Sequence, residues 1–306
     1  MQPRGGRPNS MVGTALLGDT IAVNQPDLLA VSEAIEALLA ANNHRGMNDV
    51  RASLTPGYLL RAAQAIHACS GRVYILTGFP VAKTFETDGP AGAMALYRLC
   101  QRLQKDPVIL SEPDVTAALS RQCRCHALSP GTHKQAQQAA AALYKTDPPA
   151  LVISIECPGA AADGHYYNMA GEDISKRCIR AEPYLDQANC STIAIGDGGN
   201  EVGMGNVAQS LTGLDIRPAE SVCSELIVAD VSNWAAYALC ALTDWLDDRT
   251  MSAIVDIQSD LEHLVRNGAV DGVTGASTAT EDGFPEHAAE NVMQAIHAIL
   301  LQGKTQ

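Results

Sequence analysis

The chain has 306 residues, of which 46% are hydrophobic and 18% charged, and its formal net charge is −13. So acidic a protein repels a phosphate backbone, and the longest basic cluster, Lys176-Arg177 with Arg180, is too short to make a nucleic-acid stripe. No stretch approaches the roughly 18–20 apolar residues of a membrane span, and the nine cysteines lack zinc-type spacing.

Those cysteines read as small buried hydrophobes in a reducing compartment, the cytoplasm or one such as the mitochondrial matrix. Residues 1–18 carry Arg4 and Arg7, no acid and no apolar core of the signal-peptide kind, so 1–24 are expected to be a flexible leader. Residues 25–303 then read as a single α/β domain. PDLLAVSEAIEALLAA, residues 26–41, has apolar residues at helical spacing behind Pro26, and a second helix is expected over 56–69.

Strand and helix alternate from there. Strands are expected at 73–76, 108–110, 123–128, 151–155, 191–195 and 226–229. Helices are expected at 90–103, 113–122, 131–145, 232–247, 256–267 and 285–301. Leu151–Ile155 (LVISI) is wholly apolar, as a buried parallel strand should be. Residues 156–190 form an insertion with only its last third helical in pattern. Six strands separated mostly by helices predict a doubly wound, largely parallel sheet with helices on both faces, a three-layer architecture.

Such sheets bind ligands beyond the carboxyl ends of their strands, which directs attention to the segments after Leu76, Leu110, Ile155, Ile195 and Ala229. The first contains Thr77, Gly78, Lys83, Glu86 and Asp88, with Pro90 opening a helix whose N-terminus favours anions. The third begins with Glu156, a carboxylate where a buried strand emerges, and continues through Asp163, His165, Tyr166 and Asn168. The fourth is IGDGGNEVGMG, residues 195–205, with five glycines, Asp197, Asn200 and Glu201. Gly198 and Gly199 free the backbone to face an anion. Asp197, Asn200 and Glu201 offer hard oxygens suited to Mg2+ or Mn2+.

The glycine-rich string resembles the magnesium loop of haloacid-dehalogenase-type phosphatases. Those enzymes also need an upstream D-x-D-x-[TV] nucleophile; Asp19 and Asp88 both lack the second Asp, which leaves that mechanism without its covalent step.

Five motifs in order resemble the catalytic C-terminal domain family of D-glutamate cyclase. They are the Thr77-Gly78-Phe79-Pro80 loop, Glu86 to Pro90, Ser154-Ile155-Glu156 with Pro158-Gly159, Asp163-Gly164 with Tyr166-Tyr167-Asn168, and Gly196 to Gly205, while Cys157 and His165 depart from the family pattern. The resemblance spans roughly residues 25–300. It implies a hydro-lyase that turns D-glutamate into 5-oxo-D-proline and water, the amine attacking the γ-carboxyl within one molecule.

On that reading Glu86, Asp88, Glu156, Asp197 and Glu201 are the catalytic candidates, with Glu86 or Glu156 taking the amine proton. Asp88, Asp197 and Glu201 are the expected ligands of Mg2+ or Mn2+; a metal-free version uses a carboxyl kept protonated by its acidic neighbours. Substrate contacts are expected from Thr77, Gly78, Lys83, Tyr166, Asn168, Gly198, Gly199 and Asn200. No organic cofactor, nucleic-acid partner or membrane partner is expected, and homo-oligomerisation is left open. A metal-dependent phosphatase-like hydrolase and a non-catalytic binder of acidic amino acids are the alternatives.

Overall fold

A computed structural model describes residues 27–247 and 255–305; the leader expected over 1–24 lies outside them. In chain order the elements are α1 (Leu28–Leu39), α2 (Met47–Arg51), α3 (Tyr58–Ala68), β1 (Arg72–Thr77), β2 (Pro80–Val81), β3 (Thr84–Phe85), α4 (Pro90–Arg102), β4 (Asp106–Ser111), α5 (Pro113–Leu119), β5 (Cys125–Ala127), α6 (His133–Thr146), β6 (Leu151–Ile155), α7 (Glu182–Asp186), β7 (Thr192–Gly196), α8 (Ala208–Leu211), β8 (Glu225–Val228), α9 (Ser232–Leu246), α10 (Ile257–Arg266) and α11 (Ala288–Thr305). All six expected strands form. Local chemistry explains several ends: Asp27 accepts from Leu29 and Ala30 N–H to start α1, and Thr132 and Gln135 make a capping box on α6.

The main sheet has the order β5-β4-β1-β6-β7-β8 and every pairing in it is parallel. Along each strand alternate residues face opposite layers. Val73, Ile75, Ile153, Ile155, Ile193 and Ile195 join the core shared with α1, α3, α4, α9 and α10. Tyr74, Leu76, Val108, Leu110 and Val152 meet the smaller layer of α6 and α7, while Ala194, Leu226 and Val228 meet α2 and α8. Three layers result. Central helix α9 is buried along nearly its whole length, which is why its sequence, NWAAYALCALTDWL, is apolar on every side.

The strand order reverses between β1 and β6. Chain segments leaving these two strands diverge to opposite sides and open a crevice at their carboxyl ends. Two segments shape that crevice, the first a departure from expectation and the second as expected. The loop after β1 contains a short antiparallel hairpin, β2 paired with β3. The 156–190 insertion stays irregular apart from α7, with one bridge between Tyr167 and Asp173. Among the described residues no helix is long and apolar enough to cross a membrane.

Candidate active site

Below the crevice lies a cavity of about 810 Å³, lined on its inner wall by Arg45, Glu86, Glu156, Asp197, Asn200, Glu201 and Asp282. Its outer wall is the β2–β3 hairpin and the insertion, from Asn168 to Arg177.

Glu156 leaves β6 with φ 47°, a left-handed conformation uncommon outside glycine and often found where a side chain is held for function. Its backbone N–H still donates to Ile195 O at 3.1 Å, so the turn begins with the sheet ladder intact. Gly89 stands against it. A side chain at Gly89 would begin 2.7 Å from Glu156 Cβ, and Gly89 itself has φ 90°.

Three carboxylates, Asp88, Glu156 and Asp197, bring oxygens within 4.8 Å of one another, all buried. The start of α9 makes this crowding tolerable. Ser232 N–H donates to Asp88 Oδ2 at 3.0 Å and to Asp197 Oδ2 at 3.1 Å, and Ser232 Oγ donates to Glu156 Oε2 at 2.5 Å. Asn233 N–H and Gly89 N–H donate to Asp88 Oδ1 at 2.7 and 3.0 Å. The positive end of a fifteen-residue helix thus faces the protein's own acids.

Arg45 supplies the balancing cation. It pairs with Asp197 Oδ1 and, at 2.7 Å, with Asp282 Oδ2. Burial works against its charge, but Asp197 and Asp282 more than offset that and raise its pKa. Asp282 belongs to a loop pinned by Asp271, whose carboxylate accepts from the N–H groups of Val273, Thr274 and Gly283. On the same loop, Glu281 accepts from Asn233 Nδ2, Trp234 Nε1 and Tyr237 OH.

Burial, then mutual repulsion, pushes Glu86, Asp88 and Glu156 well above the ordinary carboxylate range. Asp197 is raised by burial while Arg45 pulls the other way. Burial lifts Glu281 and Asp282 to about 7 each. Glu86 lines the cavity with no hydrogen bond to its carboxylate from any described residue.

The cluster fits a hard divalent cation by its donors, which are carboxylate oxygens in close array. Its membership differs from expectation. Glu201, expected as a ligand beside Asp88 and Asp197, folds back instead to accept from Gly198 N–H and Gly199 N–H at 2.8 Å each. Glu156 stands in its place. The same bonds occupy the two N–H groups expected to grip a substrate anion, because in so short a loop the carboxylate is the nearest partner for them.

Other expected contacts fall elsewhere. Lys83 sits exposed on the hairpin turn, outside the cavity lining. Tyr166 OH is buried and donates to Glu182 Oε2 at 2.7 Å. Thr77 and Gly78 lie behind the lining, where Gly78 leaves room for the Glu112 carboxylate. Asn168 does line the cavity, though its side chain is engaged with Glu172. His165 is exposed beside Asp173.

Arg45, Ser232, Asn233, Glu281 and Asp282 are the residues that sequence reasoning missed. Ser232-Asn233 follow the last strand, a segment the strand-end rule had marked. Arg45 and Asp282 lie on irregular connections and carry no such signal.

A family model described as D-glutamate cyclase-like, C-terminal, matches residues 35–297. The human mitochondrial D-glutamate cyclase is 29% identical over 285 residues, an alignment covering 75% of this chain and 45% of that protein. The chain therefore spans less than half the length of this relative. Among solved structures, an exopolyphosphatase-related protein from Bacteroides fragilis superposes with a TM-score of 0.38 at 10% identity, over 81% of this chain and 56% of that one. RecJ from Thermus thermophilus, in complex with Mn2+, does so at 0.35 and 11%, over 90% and 43%. Likeness at that level bears on neither activity nor cofactor. The family match runs from α1 into α11 and takes in every strand and the whole carboxylate cluster, and by it the chain belongs to the D-glutamate cyclase-like C-terminal domain family.

Proposed function

We propose that this site converts D-glutamate to 5-oxo-D-proline and water. Beyond family membership, one observation carries the reading: a cavity with crowded carboxylates of raised pKa on its floor and cations at its lip. Lys176 and Arg177 line that lip. Arg177 donates to two backbone carbonyls, Ala82 O and, at 2.5 Å, Thr84 O, with the Glu112 carboxylate near enough to feel its charge. These two side chains suit the α-carboxylate, with the γ-carboxyl directed down toward Arg45 and Asp197.

The atoms balance without any external acid or base. Substrate arrives with an ammonium and a carboxylate; product keeps one N–H. Two protons leave nitrogen, the N–C bond forms, the C–O bond breaks, and the departing oxygen takes both protons as water. The chain must therefore provide a proton acceptor near nitrogen and a donor near oxygen that can exchange roles. Glu156 is suited to accept, having one oxygen anchored by Ser232 Oγ and the other free of hydrogen bonds from described residues. Glu86, whose pKa is raised by burial and by Asp282 and Asp197 with Arg45 opposing, is suited to donate. A divalent cation held by Asp88, Glu156 and Asp197 would supply Lewis-acid polarisation of the γ-carboxyl.

The test is incubation of the purified protein with D- and L-glutamate and chromatographic assay of 5-oxoproline, with Mn2+ added and after exhaustive chelation. D-Glutamate is expected to disappear one-for-one with product. No product from either enantiomer under any condition overturns the reading. Full activity after chelation removes the cation while leaving the carboxyl chemistry.

A further inference from the structure

Asn200 lines the cavity between Asp197 and Glu201 and is only 2% exposed. Its Nδ2 donates to Tyr167 O at 2.8 Å, which settles which end of the amide is which. The Oδ1 is then left buried with no hydrogen bond from any described residue. Gly198 keeps the space beside it open, since a side chain there would begin 2.8 Å from this oxygen. Buried acceptors in folded proteins are nearly always satisfied, so this one points to a donor on a ligand.

On the cyclase reading, glutamate's α-ammonium is its strong donor group. Three N–H bonds enter and one survives in the lactam. A carboxylate can accept a hydrogen bond and then take the proton; an amide oxygen accepts without taking it. We propose that Asn200 Oδ1 holds the N–H that is retained in the product, turning the other two toward the carboxylates that remove them. The inference rests on the proposed reaction and deepens it. Asn200 would be a substrate-orienting residue whose bond persists from ammonium to lactam.

The experiment compares binding of 5-oxo-D-proline with the matching lactone, 5-oxotetrahydrofuran-2-carboxylate, in which ring oxygen replaces N–H. Affinities are measured by calorimetry on wild type, Asn200→Leu and Asn200→Asp. Wild type is expected to prefer the lactam by about tenfold or more, the scale of one buried hydrogen bond. Asn200→Leu should bind both alike. Asn200→Asp should keep the preference, since a carboxyl oxygen in either protonation state still accepts while the amide donor to Tyr167 O is gone.

Equal binding of both compounds by wild type overturns the proposal, as does an undiminished preference in Asn200→Leu. Loss of preference in both variants also overturns it, because the Tyr167 tie rather than the acceptor would then set it. If Asn200→Leu does not fold, Asn200→Ala takes its place with the same expectations. The outcome in which wild type neither forms nor binds 5-oxoproline is a different failure, that of the cyclase reading, and takes this inference with it.

Discussion

Asp282→Asn is expected to change how stability depends on pH. Asp282 is buried and faces Asp197, and burial is the largest cause raising its carboxyl from 3.8 to about 7, with Arg45 opposing. The folded chain therefore holds a proton there that the unfolded chain releases near pH 4. For a raised carboxyl the sign is fixed: the stabilisation is complete below pH 3.8 and is lost as pH rises to about 7. Each pH unit in that window costs about 1.4 kcal/mol, about 4 kcal/mol in all. An asparagine side chain has no proton to lose. Between pH 5 and pH 7 the advantage of Asp282→Asn over wild type should thus grow by about 2 kcal/mol, then level off. Glu281, also near 7, is raised partly by the Asp282 charge, so in Asp282→Asn its carboxyl falls and its contribution adds to the difference in the same direction. Urea denaturation at half-unit intervals from pH 5 to 8 measures this directly. Stability curves that run parallel across the range would refute the protonated state assigned to Asp282 and the crowding argument behind it.

Arg45→Met should cost about 3–5 kcal/mol at pH 8, where the carboxylates it pairs with are left charged and buried. The loss should shrink at pH 5.5, where Asp197 and Asp282 can take up protons; denaturation midpoints equal in their loss at both pH values would show that Arg45 holds the fold by packing alone. Glu156→Gln keeps the shape and the oxygen that accepts from Ser232 Oγ, so circular dichroism should be unchanged while kcat falls by about 10²–10⁴. Turnover within tenfold of wild type would take Glu156 out of the proton path. Gly89→Ala forces a methyl against Glu156 Cβ on backbone with φ 90°, and should lower stability by about 1–3 kcal/mol, read as a shift in Tm.

The sheet was legible because buried parallel strands are locally self-evident: runs such as VYIL, LVISI and LIVA have no other comfortable setting. The strand-end rule then led to Asp88, Glu156 and Asp197, since parallel strands must deliver their carboxyl ends to one edge of the sheet. What the pattern could not convey was direction. Lys83 has the right charge and the right loop, but a hairpin turn carries it outward. The wealth of glycine around Asp197 suggested an anion cradle, whereas it makes room for Glu201 to satisfy Gly198 and Gly199 N–H. Arg45 and Asp282 are separated by 237 positions, and their meeting depends on how α1, α9 and the Asp271-pinned loop assemble around them. No local periodicity encodes such a contact.

Crowding acids on a buried floor is costly, and on the proposed cyclisation both protonation states are needed together. Cyclisation of an amino dicarboxylate takes two protons from nitrogen and gives two to oxygen, with no net exchange with water. A single carboxylate of ordinary pKa would accept readily near pH 7 and donate poorly. Groups lifted toward neutrality do both, and neighbours whose charges repel cannot all ionise at once, so acid and base coexist in one cluster. Asp88 and Asp197 accept from the N–H groups of α9, and Asp197 also pairs with Arg45, which favours their ionisation; Glu86 accepts no hydrogen bond from a described residue and feels Arg45 only at a distance, against burial and its acidic neighbours. On the proposed cyclisation, that asymmetry would divide the labour within the cluster. It comes from where the helix begins and where one arginine reaches, rather than from any difference among the acids themselves.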